Sequence, residues 1–192
     1  MLTFVVGGVR SGKSALAEAL LADRPARYVA PGPSPDPARD PEWSERVRLH
    51  QERRPLTWTT IETGDVAGEV TRPGPALLVD CLGTWLTRVV DDAEAWEDRA
   101  RARSVIEAAS AELLAALRER TSDVVVVSNE VGLGVVPASP GGRFFRDEMG
   151  RLNAAVADLA DEVLFVLAGR VFDVSTQPSV REFVAARRAT GE

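Results

Sequence analysis

Gly7, Gly12, Lys13 and Ser14 stand at the spacing G-x-x-x-x-G-K-S inside VVGGVRSGKSAL, residues 5–16. Glycine at these positions lets successive backbone N–H groups turn toward a phosphate chain, and a helix opening there adds the positive end of its dipole. Lys13 then supplies an ammonium for the outer phosphates and Ser14 a hydroxyl ligand for Mg2+. The lysine is informative in itself, because of 23 basic residues in the chain it is the only one that is not arginine. A planar guanidinium does not replace a compact point charge in such a cradle. The bland alternative is a plain glycine turn. The apolar run LTFVV before the motif and the helix formers after it supply the context that the phosphate-binding reading requires.

Asp80 ends another apolar run, ALLVD (76–80). Beside a phosphate cradle, an aspartate at a strand end holds Mg2+ directly or through water; the competing reading is a cap on a helix beginning near Leu82. His50 is the only histidine. It shares a helical face with Trp43 and Val47, which suits a packed or surface imidazole, but a neutral imidazole is also a nucleophile toward phosphorus. The neighbouring Arg46, Arg48, Arg53 and Arg54 either neutralise a triphosphate or make an ordinary solvated face. Arg143, Asp147 and Arg151, four residues apart, read with Arg146 as a surface ion-pair ladder, or equally as an anionic-substrate or subunit contact. Cys81 reads as a small buried hydrophobe, and Trp43, Trp58, Trp85 and Trp96 as core or interface.

These residues need a frame. Strands are expected at 2–6, 27–30, 58–61, 76–80, 123–128 and 162–167, and helices at 13–23, 41–54, 95–118, 143–160 and 178–188. Leu16, Leu20 and Leu21 should share one side of the first helix. Asp40-Pro41 starts the second, with aspartate as N-cap and proline in the first turn. Ile106, Ala109, Leu113 and Leu117 give the long helix its core spacing, and Phe145, Met149, Leu152, Val156 and Leu159 are expected to be buried from 143–160. The stretches 31–41 and 131–142 read as loops. Solid apolar strands alternating with helices imply an α/β fold of the P-loop NTPase type, a mostly parallel sheet with helices on both faces, in one domain spanning 1–192. Ligands of such sheets bind at the carboxyl ends of the strands, where Gly7, Asp80 and Ser128-Asn129-Glu130 would meet.

The bulk properties exclude some functions. A net charge of −6 argues against a nucleic-acid partner. One cysteine cannot form an internal disulfide, no apolar run reaches the ~20 residues of a bilayer span, and the opening residues lack a secretory pattern. A cytoplasmic location is expected.

Several longer stretches resemble the bifunctional adenosylcobinamide kinase/adenosylcobinamide-phosphate guanylyltransferase family of cobalamin biosynthesis. They are GGVRSGKS (7–14), YVA (28–30), RVRLHQERRPLTW (46–58), LLVDCLGTWLTRVV (77–90), VVSNEVGLGVVP (126–137) and GRFFRDEMGRLNAAVADLADEVLFVLAG (142–169). The likeness is weaker at 31–41, where proline crowds the loop, and after Gly169. The resemblance implies that His50, within an R-h-x-x-H-x-x-x-R-P element formed with Arg46, Arg54 and Pro55, carries GMP from GTP as a covalent guanylyl-histidine. It implies a nucleotide site built from Gly7, Gly8, Val9, Arg10, Ser11, Gly12, Lys13 and Ser14 together with Arg46, Arg54, Glu62 and Asp80. Mg2+ would sit on Ser14 and Asp80. The implied substrates are ATP or GTP, adenosylcobinamide and its phosphate, and the product is adenosylcobinamide-GDP. A homotrimer with the corrinoid in a cleft between subunits is implied as well.

Two other functions compete. One is a P-loop kinase of another small metabolite with His50 merely structural. The other is a GTP-binding switch, suggested by the D-x-x-G of Asp80-Cys81-Leu82-Gly83; against it, Asn129-Glu130-Val131-Gly132 lacks the lysine and aspartate of the guanine-reading N-K-x-D.

Overall fold

The computed structural model describes residues 1–190. Its first half runs β1 (Leu2–Gly7), α1 (Lys13–Leu20), β2 (Ala26–Ala30), α2 (Pro41–Glu52), β3 (Thr59–Glu62), α3 (Val66–Thr71), β4 (Ala76–Asp80) and α4 (Leu82–Asp92). The second half runs α5 (Arg99–Glu119), β5 (Val124–Asn129), α6 (Pro140–Ala157), β6 (Glu162–Leu167), β7 (Arg170–Asp173) and α7 (Val180–Thr190). The strands form one sheet in the order β3-β2-β4-β5-β1-β6-β7. All neighbours are parallel except β7, which runs antiparallel to β6 at the edge.

β1 is buried at every position, as a strand covered on both sides must be. Its neighbours show how the two faces divide the apolar residues. Val124, Val126, Leu77 and Val79 turn to the side packed by α3, α4, α5 and α6, where Leu86, Leu113, Met149 and Val156 close the larger core. Val125, Val127 and Leu78 turn to the opposite side with Val5 and Tyr28, against Ala17 and Leu21 beside α1 and against Trp58. Helices therefore cover both faces of a mostly parallel sheet, the expected α/β architecture.

The local signals behave as their chemistry dictates. Asp40 caps α2 by accepting from the Trp43 N–H at 2.9 Å, with Pro41 in the first turn. The helix expected from 143 begins at Pro140, because Ser139 caps it by accepting from the Gly142 N–H at 3.1 Å; the Gly141-Gly142 pair had pointed to a loop. Its buried phenylalanine is Phe144, and Phe145 is only partly buried. α1 stops at Leu20, which is exposed, while the following Leu21 is buried. α4 was anticipated only as a helix beginning near Leu82, and two further elements were not anticipated at all. α3 has six residues, too few for a periodicity, and is capped by Asp65. β7 is exposed at all four positions and is joined to β6 by Ala168-Gly169, both at positive φ (49° and 69°), the backbone of a tight primed hairpin turn.

Candidate active site

The turn from β1 into α1 folds over itself. Gly7 lies so close to β6 that a Cβ would run into the Val166 carbonyl oxygen. Gly12 caps α1 at φ 102°, a conformation that costs glycine nothing. Lys13 is 5% exposed, and its Nζ donates to the Gly8 carbonyl oxygen at 3.1 Å. Burial lowers its pKa, against the pull of Cys81 and Asp80. Ser11 Oγ is buried with no hydrogen-bond partner. A buried hydroxyl in that state costs roughly 1–3 kcal/mol, so the loop lacks an acceptor of the kind that an anion supplies.

α2 lies across the carboxyl end of the sheet and brings His50 to the same rim. Two cavities meet there. One lies between the loop residues Val9–Ala15 and α2, where Glu45, Leu49 and Arg53 line it. The other lies between α2 and the ends of β2, β3 and β4, walled by Tyr28, Pro33, Trp43, Val47, Glu62 and Thr84. His50 and Arg46 line both. The expected face of Trp43, Val47 and His50 is therefore the wall of a cleft.

The imidazole is held in a charged frame. His50 Nδ1 lies 3.8 Å from Asp80 Oδ2 and 3.8 Å from Glu18 Oε1. The Tyr28 hydroxyl donates to Asp80 Oδ2 at 2.9 Å, and the Arg54 guanidinium stacks on the Tyr28 ring, 3.5 Å from its centroid. Arg53 donates to both oxygens of Glu18, Nε at 3.2 Å and a terminal nitrogen at 3.4 Å. Burial pulls the His50 pKa below its ordinary value of 6.5; Arg53, Arg46 and Arg54 act in the same direction, and Asp80 opposes them. The ring is thus held in its neutral, nucleophilic form near neutrality. Burial likewise raises the Glu18 carboxyl, against Arg53, and raises the Tyr28 hydroxyl well above its usual range, with Asp80 adding to it.

The four arginines of α2 and its end differ in their commitments. Arg48 is paired with Glu45 at 2.6 Å and with Glu52 on the exposed side. Arg53 is engaged by Glu18 and Arg54 by Tyr28 and Thr60. Arg46, facing both cavities, has no ion pair among the described residues, and neither does Arg10 in the phosphate loop. Ser14 and Asp80 are hard oxygen donors, and no cluster of three or more acidic, histidine or cysteine side chains among the described residues makes a cage of its own. That sparse set fits Mg2+, which binds through one or two protein ligands plus substrate phosphates and water.

Residues 3–174 match the family model for cobinamide kinase / cobinamide phosphate guanyltransferase. The chain belongs to this family. It is 36% identical over 185 residues to the bifunctional adenosylcobalamin biosynthesis protein CobU of Salmonella typhimurium, covering 88% of this chain and 97% of that one. It is 36% identical over 186 residues to the corresponding protein CobP of Pseudomonas aeruginosa (93% and 99% covered) and 35% identical over 180 residues to CobU of Escherichia coli (88% and 97% covered). The activities of the cobinamide kinase/guanyltransferase family, phosphorylation of cobinamide and guanylyl transfer to its phosphate, are those of this chain.

The fold of this family member brings every residue assigned to the nucleotide site to one rim. The loop Gly7–Ser14 ends β1, Glu62 ends β3 and Asp80 ends β4, with Arg46 and His50 reaching over from α2 and Arg54 from just past its end. Glu62 accepts from the Ser34 hydroxyl at 3.0 Å in the Trp43-lined cleft. Cys81 is half-buried; it donates to Asn129 Oδ1 at 3.1 Å, and burial raises its pKa. The ladder on α6 does not form. Arg143 donates to the carbonyls of Pro137 and Ala138, Arg146 to those of Gly132 and Gly134, and both brace the 131–142 loop. Arg151 and Arg103 converge instead on the buried Glu148. Trp58 and Trp85 are core residues, while Trp43 lines the cleft. Pattern reading missed Glu18 and the clamp of Tyr28 on Asp80. A lone glutamate in a helix and a tyrosine in a buried strand give no signal until α2 is in place.

Proposed function

We infer that this chain, working as one domain, transfers a γ-phosphoryl group from ATP or GTP to the hydroxyl of adenosylcobinamide and then attaches GMP through His50. The observation that supports this most directly is that the only imidazole of the chain stands in the wall shared by the phosphate-loop cavity and the Trp43-lined cleft. A triphosphate seated on the backbone of Gly7–Ser14 presents its phosphorus atoms to that wall. Lys13, Arg10 and Arg46 face the phosphates and take up their charge. His50 attacks the α-phosphorus: an N–P bond forms, the bond to the bridging oxygen breaks, and pyrophosphate leaves with the electron pair. An oxygen of adenosylcobinamide phosphate then attacks the same phosphorus, the N–P bond breaks, and adenosylcobinamide-GDP departs with His50 restored.

Two displacements divide one hard transfer into two easier ones, and positioning and charge stabilisation supply most of the acceleration. Ser14 and Asp80 would hold Mg2+, which when bound neutralises phosphate charge. Glu62, an acceptor-only carboxylate in an aromatic cleft, suits the N–H edge of guanine, and Arg54 on Tyr28 closes the floor beneath it.

We also read the chain as a homotrimer. Leu167, Val171, Phe172, Val180, Phe183 and Val184 are exposed along the C-terminal edge, an apolar content typical of an interaction surface. No described helix is long and apolar enough to cross a membrane.

The test is retention of label. Protein incubated with GTP labelled at the α- or the γ-phosphate is denatured at alkaline pH, where phosphoramidates survive. The expected result is that only the α-label stays, on the peptide containing His50. Retention of neither label leaves a plain kinase and overturns the guanylyl-histidine.

A further inference from the structure

Glu18 is buried where carboxylates are rare. It lies on the same face of α1 as Lys13 and Ala17, 8% exposed, and a charge so placed requires partners. Its own helix supplies none. Its side-chain partners are Arg53, just past the end of α2, and the His50 ring on α2. The two carboxylates that flank Nδ1 are not equally available. Asp80 Oδ2 already accepts from Tyr28, and Asp80 is the strand-end residue assigned to the metal. Glu18 also accepts, from Arg53 at 3.2 and 3.4 Å, but it is not assigned to the metal. With Nδ1 turned to the carboxylates, Nε2 is the ring nitrogen left for phosphorus.

We propose that Glu18 is the positioning residue of the guanylyl-transfer step, fixing His50 through its Nδ1 so that Nε2 attacks the α-phosphorus. This rests on the reading of His50 as the nucleophile. When Nε2 forms its bond to phosphorus and pyrophosphate leaves, Nδ1 keeps its proton and the ring becomes a cation. Glu18 stabilises that charge from 3.8 Å, as Asp80 does from the same distance, against the arginines at 46, 53 and 54. Without Glu18 the developing imidazolium faces Arg46, Arg53 and Arg54 with only the shared Asp80 to offset them. Glu18 also joins the helix that opens from the phosphate loop to the helix that carries the nucleophile.

The experiment is single-turnover labelling of the full-length protein with α-labelled GTP, comparing wild type, Glu18→Gln and Glu18→Asp. Glutamine keeps the size and loses the charge. Its rate of His50 guanylylation at saturating GTP should fall about 10- to 100-fold, the range lost when the partner of a histidine's second nitrogen is removed. Affinity for an unreactive GTP analogue should stay within about threefold, because the interaction strengthens only as the ring becomes charged. Glu18→Asp should recover part of the rate. In wild type, NMR of the guanylylated imidazole should place the phosphorus on Nε2. Labelling of Glu18→Gln at the wild-type rate overturns the proposal, and so does phosphorus on Nδ1, which needs no variant to fold. A wild type that takes no α-label overturns the His50 reading itself; a labelled wild type with an unimpaired glutamine variant overturns only the role of Glu18.

Discussion

The two halves of the site are held in opposite ways. The phosphate loop and α1 are built into the body: Lys13, Ala17 and Glu18 are buried, and Leu21 closes the helix against the sheet. α2, which carries His50, has no buried residue at all. It is held by Asp40 at its start, by Trp43 Nε1 donating to the Pro33 carbonyl at 3.0 Å, by Arg53 on Glu18 and by Arg54 on Tyr28. The buried Lys13 ammonium thus sits on the integrated element, where preorganisation of a binding charge would be worth most. His50, the proposed nucleophile, sits on an element fixed by a few polar contacts, of the kind drawn from the low-stability end of a fold.

That contrast can be broken from the rigid side first. Lys13→Met removes the buried ammonium that we propose serves any triphosphate seated in the loop. Phosphorylation of adenosylcobinamide and guanylylation should both fall, by about 10²–10³-fold, the usual loss for one preorganised charge-stabilising donor. Loss of one activity alone would mean that the two steps use different cradles.

A smaller effect comes from protons. Burial pulls the His50 pKa below its ordinary 6.5, so the neutral ring predominates at pH 7. Guanylylation should be level from pH 8 down to the ordinary histidine range. It should then fall about tenfold per unit once the pH passes below the depressed value. A rate that already declines between pH 8 and 7 would mean a raised pKa and contradict the burial of the ring.

The smallest change sharpens the comparison most. Asp40 caps α2 and Asp98 caps α5, where it accepts from the Ala100 and Arg101 N–H groups. Replacing either by alanine costs about 1 kcal/mol of helix stability. For Asp98, whose helix packs into the core, this should appear as lower global stability in denaturant unfolding. For Asp40 it should appear as faster amide exchange confined to α2, with the global midpoint unchanged. Equal global losses would show α2 to be as firmly integrated as α5.

What could be read in the chain follows the same division. β1, β4 and β5 announce themselves because strands buried on both faces must be apolar throughout, and the glycine spacing of the phosphate loop follows from the backbone it has to adopt. α3 was too short to show a period, and β7, exposed at every position, carries no pattern of burial. The start of α6 was hidden by Gly141-Gly142, although Ser139-Pro140 is the same kind of start as Asp40-Pro41. Within the site, His50 drew notice as a reactive type occurring once. Glu18 did not, because its meaning depends on where α2 lies, and tertiary contacts set that.

The most direct test is product analysis with His50→Ala, supplied with adenosylcobinamide, ATP, GTP and Mg2+. The division of labour described above predicts that adenosylcobinamide phosphate accumulates while adenosylcobinamide-GDP is absent, because the cradle on the rigid side is intact and only the carrier on α2 is gone. Formation of the GDP product by this variant would contradict the central claim that His50 carries GMP.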